Sequence, residues 1–159
     1  MKSGKPTILA LSLSIAGAAT ASAAPVSGPT ALALAAVVAP SSPLLSPGEK
    51  HAVAALFAGH TAIPYAKKIA VIADKIVCRT SNVDIAARSC QLTFKTGTRS
   101  LTGREANEVF ATLATAGVQA EGAAGSNIES LSKLNCTLDP NAIRQKDGSG
   151  AECAFDGGN

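Results

Sequence analysis

Four cysteines, Cys78, Cys90, Cys136 and Cys153, constrain the fold of this 159-residue chain more than any other feature. Cys78 and Cys90 have eleven residues between them, and Cys136 and Cys153 have sixteen. Structural zinc sites usually bring their ligands in close pairs such as C-x2-C, and dithiol redox centres use C-x-x-C. Neither spacing occurs, so the sequence predicts no metal and no cofactor at these sulfurs and favours structural disulfides.

The first residues have the organisation of a secretory signal peptide. Lys2 and Lys5 precede an apolar stretch over residues 7–21, and Ala21, Ser22 and Ala23 supply the small residues that a signal peptidase requires. We predict a signal peptide over residues 1–23 and an exported protein, periplasmic or extracellular. An uncleaved anchor is the alternative, but the apolar stretch is short for a bilayer span of ~20 residues. We therefore expect no membrane span after cleavage, and an oxidising compartment.

Cleavage changes the charge balance of the chain. Of 14 basic residues, 12 remain after Lys2 and Lys5 are removed, against 11 acidic residues. A nearly neutral chain with four Phe, one Tyr and no Trp lacks the basic stripe and the stacking platforms of a nucleic-acid-binding protein. We expect no nucleic-acid partner.

Three further segments follow the leader. Residues 24–46 are rich in Ala, Pro and Ser and are predicted to be an arm or linker, although the apolar run over 31–39 leaves a docked arm, an extended leader or a poorly ordered segment open. Ser46 and Glu49 have the spacing of a capping box and Pro47 suits a first helical position, so residues 47–64 are predicted to form a short helix and a connection. Residues 65–159 are predicted to form the main domain.

Alternating patterns predict two hairpins in that domain. Placing Cys78 opposite Cys90 brings Ile76 opposite Leu92, and the polar Ser89, Gln91 and Thr93 then share the other face. In the second hairpin, four more residues pair when Cys136 faces Cys153, namely Leu134 with Phe155 and Leu138 with Ala151. Apolar partners on one face fix the register of a half-buried sheet, so we predict disulfides Cys78–Cys90 and Cys136–Cys153. Residues 128–134 fit either a helix or a strand.

One amphipathic helix lies between the hairpins. Thr102 and Glu105 have capping-box spacing, and an apolar stripe follows, consisting of Ala106, Val109, Phe110 and Leu113. The predicted fold class is α+β, with a four-stranded antiparallel sheet in ββαββ order, this helix on one face, a short N-terminal helix and two intra-hairpin disulfides.

No catalytic residue can be assigned from the sequence. The two histidines, His51 and His60, precede the predicted domain, and their spacing is not that of a metal-ligand pair. The segment from Asp147 to Glu152 superficially resembles part of a calcium loop but lacks the alternating acidic ligands of an EF-hand, so it is predicted to be a Gly-rich hairpin loop.

Two loops are longer than a hairpin requires, residues 80–87 and 139–150. Binding residues concentrate on such loops, and the second loop contains a candidate binding set, which consists of Ile143, Arg144, Gln145, Lys146 and Asp147. Lys95, Arg99 and Arg104 lie near the start of the main helix, where an anion would be favoured, although solvated charge is the simpler interpretation.

The sequence thus favours a small exported, non-enzymatic binding or interaction protein whose partner is a protein or a cell-envelope component. A small exported hydrolase or ligand-binding enzyme with a site assembled only by the fold is the alternative, and a purely structural envelope protein is a third possibility.

Overall fold

A computed structural model describes residues 24–60, 62–80, 87–116, 127–131, 133–144 and 150–156. The predicted signal peptide over residues 1–23 lies outside the described residues. The helices are α1 (Gly28–Val38), α2 (Pro47–Phe57), α3 (Gly103–Thr115) and α4 (Pro140–Arg144), and a 3-10 turn covers Ala39–Ser41. The strands are β1 (Val26–Ser27), β2 (Ile69–Ala73), β3 (Lys75–Thr80), β4 (Arg88–Phe94), β5 (Gly97–Thr102), β6 (Asn127–Leu131), β7 (Lys133–Leu138) and β8 (Ala151–Asp156).

The α+β class and the antiparallel pairing are confirmed, but the prediction of a single four-stranded sheet with one main helix is wrong. The described strands form two sheets, in the orders β1-β8-β7-β2 and β5-β4-β3-β6. Residues 69–80 are divided at Asp74 into two strands, β2 and β3, and these pair in different sheets. Strands β1, β5 and β6 add further partners, and residues 128–131 belong to a strand, not to a helix.

The two sheets are linked through one long antiparallel register. Ile69 faces Leu138 between β2 and β7, and Ile76 faces Leu131 between β3 and β6, so the same register runs through both pairs. It shifts by one residue between Ile76 and Cys78. Asp74 also donates its backbone N–H to the Thr93 carbonyl at 2.8 Å. The two sheets are thus adjacent along the chain at two places: β2 continues into β3, and β6, the pairing partner of β3, is followed by β7, the pairing partner of β2.

The predicted hairpin registers and both disulfides are present. Cys78 faces Cys90 and Ile76 faces Leu92. Cys136 faces Cys153, and the two flanking apolar pairs are Leu134 with Phe155 and Leu138 with Ala151. The S–S bonds join Cys78 to Cys90 and Cys136 to Cys153, and no described cysteine is free. Each disulfide links neighbouring strands on the buried face of a sheet. It stabilises the fold because it limits the conformations that the unfolded chain can adopt.

One hydrophobic core lies between the helices and the disulfide-bearing face of the sheets. α1 packs on β7 and β8, α3 packs on β4 and β5, and the two helices contact each other. Ala31, Leu34, Ala35 and Val38 of α1 are fully buried. Of the three alternatives for residues 31–39, the structure thus has the docked one. The domain boundaries remain a prediction, but the core combines residues from both sides of residue 65.

Two parts of the chain repeat one arrangement in permuted order. We call β3, β4, β5 and α3 the first unit, and β7, β8, β1 and α1 the second unit. Cys90 is paired with Cys78 on one side and with Leu101 on the other. Cys153 is likewise paired with Cys136 and with Val26. The central strand of each unit, β4 with Cys90 or β8 with Cys153, lies between two neighbours. One neighbour is linked to it by the disulfide, and the other leads directly into the helix of that unit.

The junctions between strand and helix match in detail. Gly103 and Gly28 occupy them with φ of 58° and 67°, a region that L side chains rarely adopt. One turn later, the Sγ atom of Cys90 lies 3.4 Å from the carbonyl oxygen of Ala106, and that of Cys153 lies 3.3 Å from the carbonyl oxygen of Ala31. These are close contacts and not hydrogen bonds, since a disulfide sulfur has no hydrogen. Each disulfide therefore contacts the first turn of its own unit's helix.

The helix starts differ in how they are capped. The predicted capping box of α2 is present, with the Glu49 amide donating to the Ser46 hydroxyl at 3.3 Å and the Ser46 amide donating to the Glu49 carboxylate at 2.8 Å. The predicted capping box of α3 is wrong, because the side chain of Thr102 makes no capping hydrogen bond. In α3 the glycine junction replaces the side-chain cap.

Candidate functional site

The sheet face opposite the core is a candidate surface. Strand alternation sends Lys75, Val77 and Arg79 of β3 to this face, and Arg79, Ser89 and Gln91 are exposed there. The two helices that pack on the sheets, α1 and α3, lie on the disulfide-bearing side, so neither of them covers this face. We call it the open face. Part of it was predictable, since the alternation in residues 89–93 predicts a polar outer surface.

A shallow depression of about 200 Å³ lies on the open face within the first unit. Its side chains come from three adjacent strands in register: Arg79 faces Ser89, and Gln91 lies between Val77 and Ser100. The guanidinium, the amide and two hydroxyl groups supply hydrogen-bond donors around one aliphatic side chain. None of the described hydrogen bonds or ion pairs involves these four polar side chains, so the depression offers its donors to solvent or to a ligand.

The corresponding positions of the second unit have different chemistry. Matching Cys78 to Cys136 and Cys90 to Cys153 places Thr137 where the first unit has Arg79. Glu152 then replaces Ser89, and Ala154 replaces Gln91. Asn135 replaces Val77. The guanidinium is therefore lost, the amide lies on the neighbouring strand, and a carboxylate is gained. The arginine at this place belongs to one unit, although the scaffold is common to both.

The predicted binding loop over residues 139–150 is only partly described. Ile143 and Arg144 end α4, whereas Gln145, Lys146 and Asp147 lie outside the described residues. Arg144 donates to the carbonyl oxygens of Ile63 and Tyr65, the latter at 2.7 Å, and Ile143 packs against the core. Arg144 therefore anchors the connection before β2 to α4, a role that the sequence-based interpretation as an exposed binding residue did not foresee.

The two histidines line one groove of about 360 Å³ at the C-terminal end of α2. Its other described walls are Ala54, Ala55, Ala58, Ala62, Ile63 and Pro64. None of the described lining residues has a carboxylate that would orient a histidine for general base catalysis. The groove brings His51 and His60 to one surface but supplies no described partner for acid–base chemistry.

A third recess lies among α1, α2 and α3. Phe57 forms part of it and is 55% exposed, and the carboxylates of Glu105 and Glu108 border it. Glu108 accepts a hydrogen bond from Arg104 Nε at 2.8 Å. Of the predicted basic cluster, Arg104 is thus paired within its own helix, while Arg99 faces Leu92 on the core side of β5 and Lys95 lies in the preceding turn. These residues do not converge on the open face.

Glu49 links the start of α2 to the connection before β2. Its carboxylate accepts hydrogen bonds from the Ser46 backbone and side chain at 2.8 Å and from the Tyr65 hydroxyl at 3.0 Å. The hydrogen bonds from Ser46, and then the one from Tyr65, hold the pKa of Glu49 below its usual value. Loss of solvation, followed by the contact with Glu49, raises the pKa of Tyr65. The pair contributes to structure rather than to a reactive centre.

Two searches of the described residues give negative results. They contain no group of three or more His, Cys, Asp or Glu side chains arranged to hold a metal ion. No helix within the described ranges has the length and apolar character needed to cross a membrane.

Comparison with known proteins gives no assignment: no family model matches the chain, and neither a curated protein nor a solved structure matches it significantly. What the fold defines is an α+β protein with two antiparallel sheets, each stapled by one disulfide.

Proposed function

We propose that this is a small exported, non-enzymatic binding protein that recognises a protein or cell-envelope partner through its open face. Two disulfides on the buried face support export, because such bonds persist in oxidising compartments. They also stabilise a small core against unfolding. The predicted leader agrees with this location.

The observation that carries the proposal is the set of hydrogen-bonding side chains presented on a broad surface. Arg79, Ser89, Gln91 and Ser100 are exposed and converge on one depression. Strand pairing fixes the backbone positions of these residues before a partner arrives, so only their side chains have to be ordered on binding. By contrast, the groove with His51 and His60 has no described carboxylate to support hydrolysis, so binding is favoured over the enzymatic alternative.

The test is a matched pull-down from the exported fraction. The protein is expressed with its own leader, recovered from that fraction and compared with Gln91→Trp and Ala154→Trp. Gln91 and Ala154 are both exposed, and each directly follows the cysteine of its strand. They therefore occupy corresponding positions in the two units. An aromatic residue is well tolerated on a strand, but at position 91 it fills the depression.

We expect wild type and Ala154→Trp to capture the same partner and Gln91→Trp to lose it. Disulfide mapping and circular dichroism check that each variant is folded. If all three proteins capture the same partner, or if wild type captures none, the open face is not the recognition surface. A fourth protein, with residues 139–150 replaced by a short turn, tests the loop hypothesis separately.

A further inference from the structure

We infer that the depression on the open face of the first unit is a receptor for the carboxylate of an acidic polypeptide segment. This inference rests on the proposed function and specifies its partner. It begins with Arg79, whose guanidinium presents donors in a planar fork that matches the two oxygens of a carboxylate. Arg79 is exposed and faces Ser89 directly across the strand pair, so a hydroxyl donor lies beside the guanidinium.

The remaining lining residues complement the same ligand. Gln91 and Ser100 are cross-strand neighbours and add an amide and a second hydroxyl. Val77 faces Gln91 and supplies an aliphatic contact for the methylene groups that precede a side-chain carboxylate. The depression, with a volume of about 200 Å³, has room for one such side chain. Lys75, also on the open face and in the same strand, adds positive charge.

The second unit acts as an internal comparison. Its corresponding positions have Thr137, Glu152 and Ala154, which remove the guanidinium and place a negative charge where Ser89 stands in the first unit. The position of Lys75 is a lysine in both units, Lys133 in the second, so the contrast that a carboxylate ligand meets is Arg79 in the first unit against Glu152 in the second. The first unit therefore fixes where along the open face an acidic chain docks, and a like charge in the second unit limits its alternatives.

A polypeptide carboxylate fits the surface better than a carboxylated polysaccharide. Binding sites for sugars usually stack the ring on an aromatic side chain, but the aromatic side chains of the described sheets, Phe94 and Phe155, are buried on the opposite face. The depression has hydrogen-bond donors and one aliphatic side chain but no aromatic one, which suits an acidic side chain better than a sugar ring. The occupant is therefore an Asp- or Glu-containing segment of a partner protein.

The test uses fluorescence anisotropy with two labelled probes. One is a Gly-Ser peptide that contains four spaced glutamates, and its control has glutamine at those four positions. The protein variants are Arg79→Gln and Arg99→Gln. Arg99 is an exposed cation in β5, but its partner across the sheet is the buried Leu92, so it lies on the face opposite the depression. Both variants lose the same charge, and disulfide mapping checks their folds.

We expect the glutamate peptide to bind wild type and the glutamine peptide to bind at least about tenfold more weakly, because a hydrogen-bonded charge pair is typically worth a tenfold change or more. Arg79→Gln should lose a similar factor, whereas Arg99→Gln should change less than about threefold, as a screened surface charge does. Equal losses in the two variants, or no preference for glutamate, would overturn the inference.

A third probe, soluble polygalacturonate, separates the two sources of carboxylate. Binding that is tighter than that of the glutamate peptide and sensitive to Arg79→Gln would overturn the assignment to a polypeptide. The pull-down with Gln91→Trp separates this inference from the proposed function: a partner lost in that variant, together with no binding of the glutamate peptide, means that the surface is right and the ligand chemistry is wrong.

Discussion

The two units of this protein both have apolar residues at their buried positions and differ at the outward-facing positions next to their cysteines. Ile76 and Leu92 flank the disulfide of the first unit, and Leu134 and Phe155 occupy the corresponding places in the second, all of them buried. On the open face the pairing of Arg79 with Ser89 corresponds to that of Thr137 with Glu152. Close packing restricts the first set to apolar side chains, whereas solvent places no such restriction on the second.

The difference shows where stability and recognition are located. Disulfides, apolar cross-strand pairs and helix junctions are present twice, so they are explained by what a small sheet needs to fold. The pairing of Arg79 with Ser89 is replaced in the second unit by that of Thr137 with Glu152, so folding does not require an arginine at this place. A feature that the scaffold does not demand is the better candidate for a functional surface.

The largest expected effect tests whether the two disulfides are equivalent. Replacing Cys78 and Cys90 together by alanine should lower the free energy of unfolding by about 3 kcal/mol, and replacing Cys136 and Cys153 should lower it by a similar amount. The loops they close span 12 and 17 residues, which predicts a difference of only about 0.3 kcal/mol. Urea unfolding measures both. If the two losses in the free energy of unfolding differ by more than about 2 kcal/mol, the two disulfides are not equivalent.

A second test asks whether α1 is as much a part of the core as α3. Leu34 and Leu113 are both fully buried, one in each helix. Leu34→Ala and Leu113→Ala should each cost at least about 2 kcal/mol, since each removes buried methyl groups and leaves a cavity. Thermal and urea unfolding give the values, and Ala54→Gly, on the exposed side of α2, controls for helix propensity. A loss below about 0.5 kcal/mol for Leu34→Ala alone would mean that α1 is a dispensable arm.

A third, smaller effect probes the strand-to-helix junctions. Gly28→Ala and Gly103→Ala should each destabilise the protein by about 1 kcal/mol, because both glycines have positive φ and an added Cβ is strained there. Gly48→Ala is the control: it lies within α2, φ is not in that region and nothing lies within 4 Å of the added Cβ, so it should be neutral or slightly stabilising. Equal behaviour of all three variants in urea unfolding would contradict matched junctions.

The smallest expected effect lies in α2, which belongs to neither unit. Because hydrogen bonds lower the pKa of Glu49 in the folded protein, its ionised form stabilises the fold above the ordinary carboxyl pKa of 4.5. That stability falls as the pH drops through the lowered pKa. Unfolding curves of wild type should therefore exceed those of Glu49→Gln at pH 7, and the difference should shrink below about pH 4. A difference that grows on acidification would reverse the assigned sign.

The sequence was sufficient for the hairpins but not for their connections. Alternating apolar residues around Cys78 and Cys90 specify one register, because a slip of one residue would turn the buried set to solvent. The split at Asp74 was missed, since one polar residue between two apolar runs does not reveal that they pair with different strands. β5 was missed because its residues over 97–102 include only one large apolar side chain, Leu101.

Helix α1 and the depression on the open face were not predicted from the sequence, for different reasons. The sequence of α1 is apolar on every side, so it has no amphipathic period, and Ser27 makes no side-chain cap that would mark its start. The polar face with Ser89 and Gln91 was predictable from alternation, as was the direction of Arg79. The arrival of Ser100 beside them depends on β5, and the contrast with the second unit depends on strand pairing across the whole chain.

Amide chemical shifts, recorded while the glutamate peptide is added to isotopically labelled protein, test the central claim that recognition is confined to the first unit's open face. The largest shift changes are expected at Arg79, Gln91 and Ser100. The changes at Thr137 and Ala154 should be no larger than those at buried residues. Changes of equal size in both units, or changes confined to α4 and the groove with His51 and His60, would contradict it.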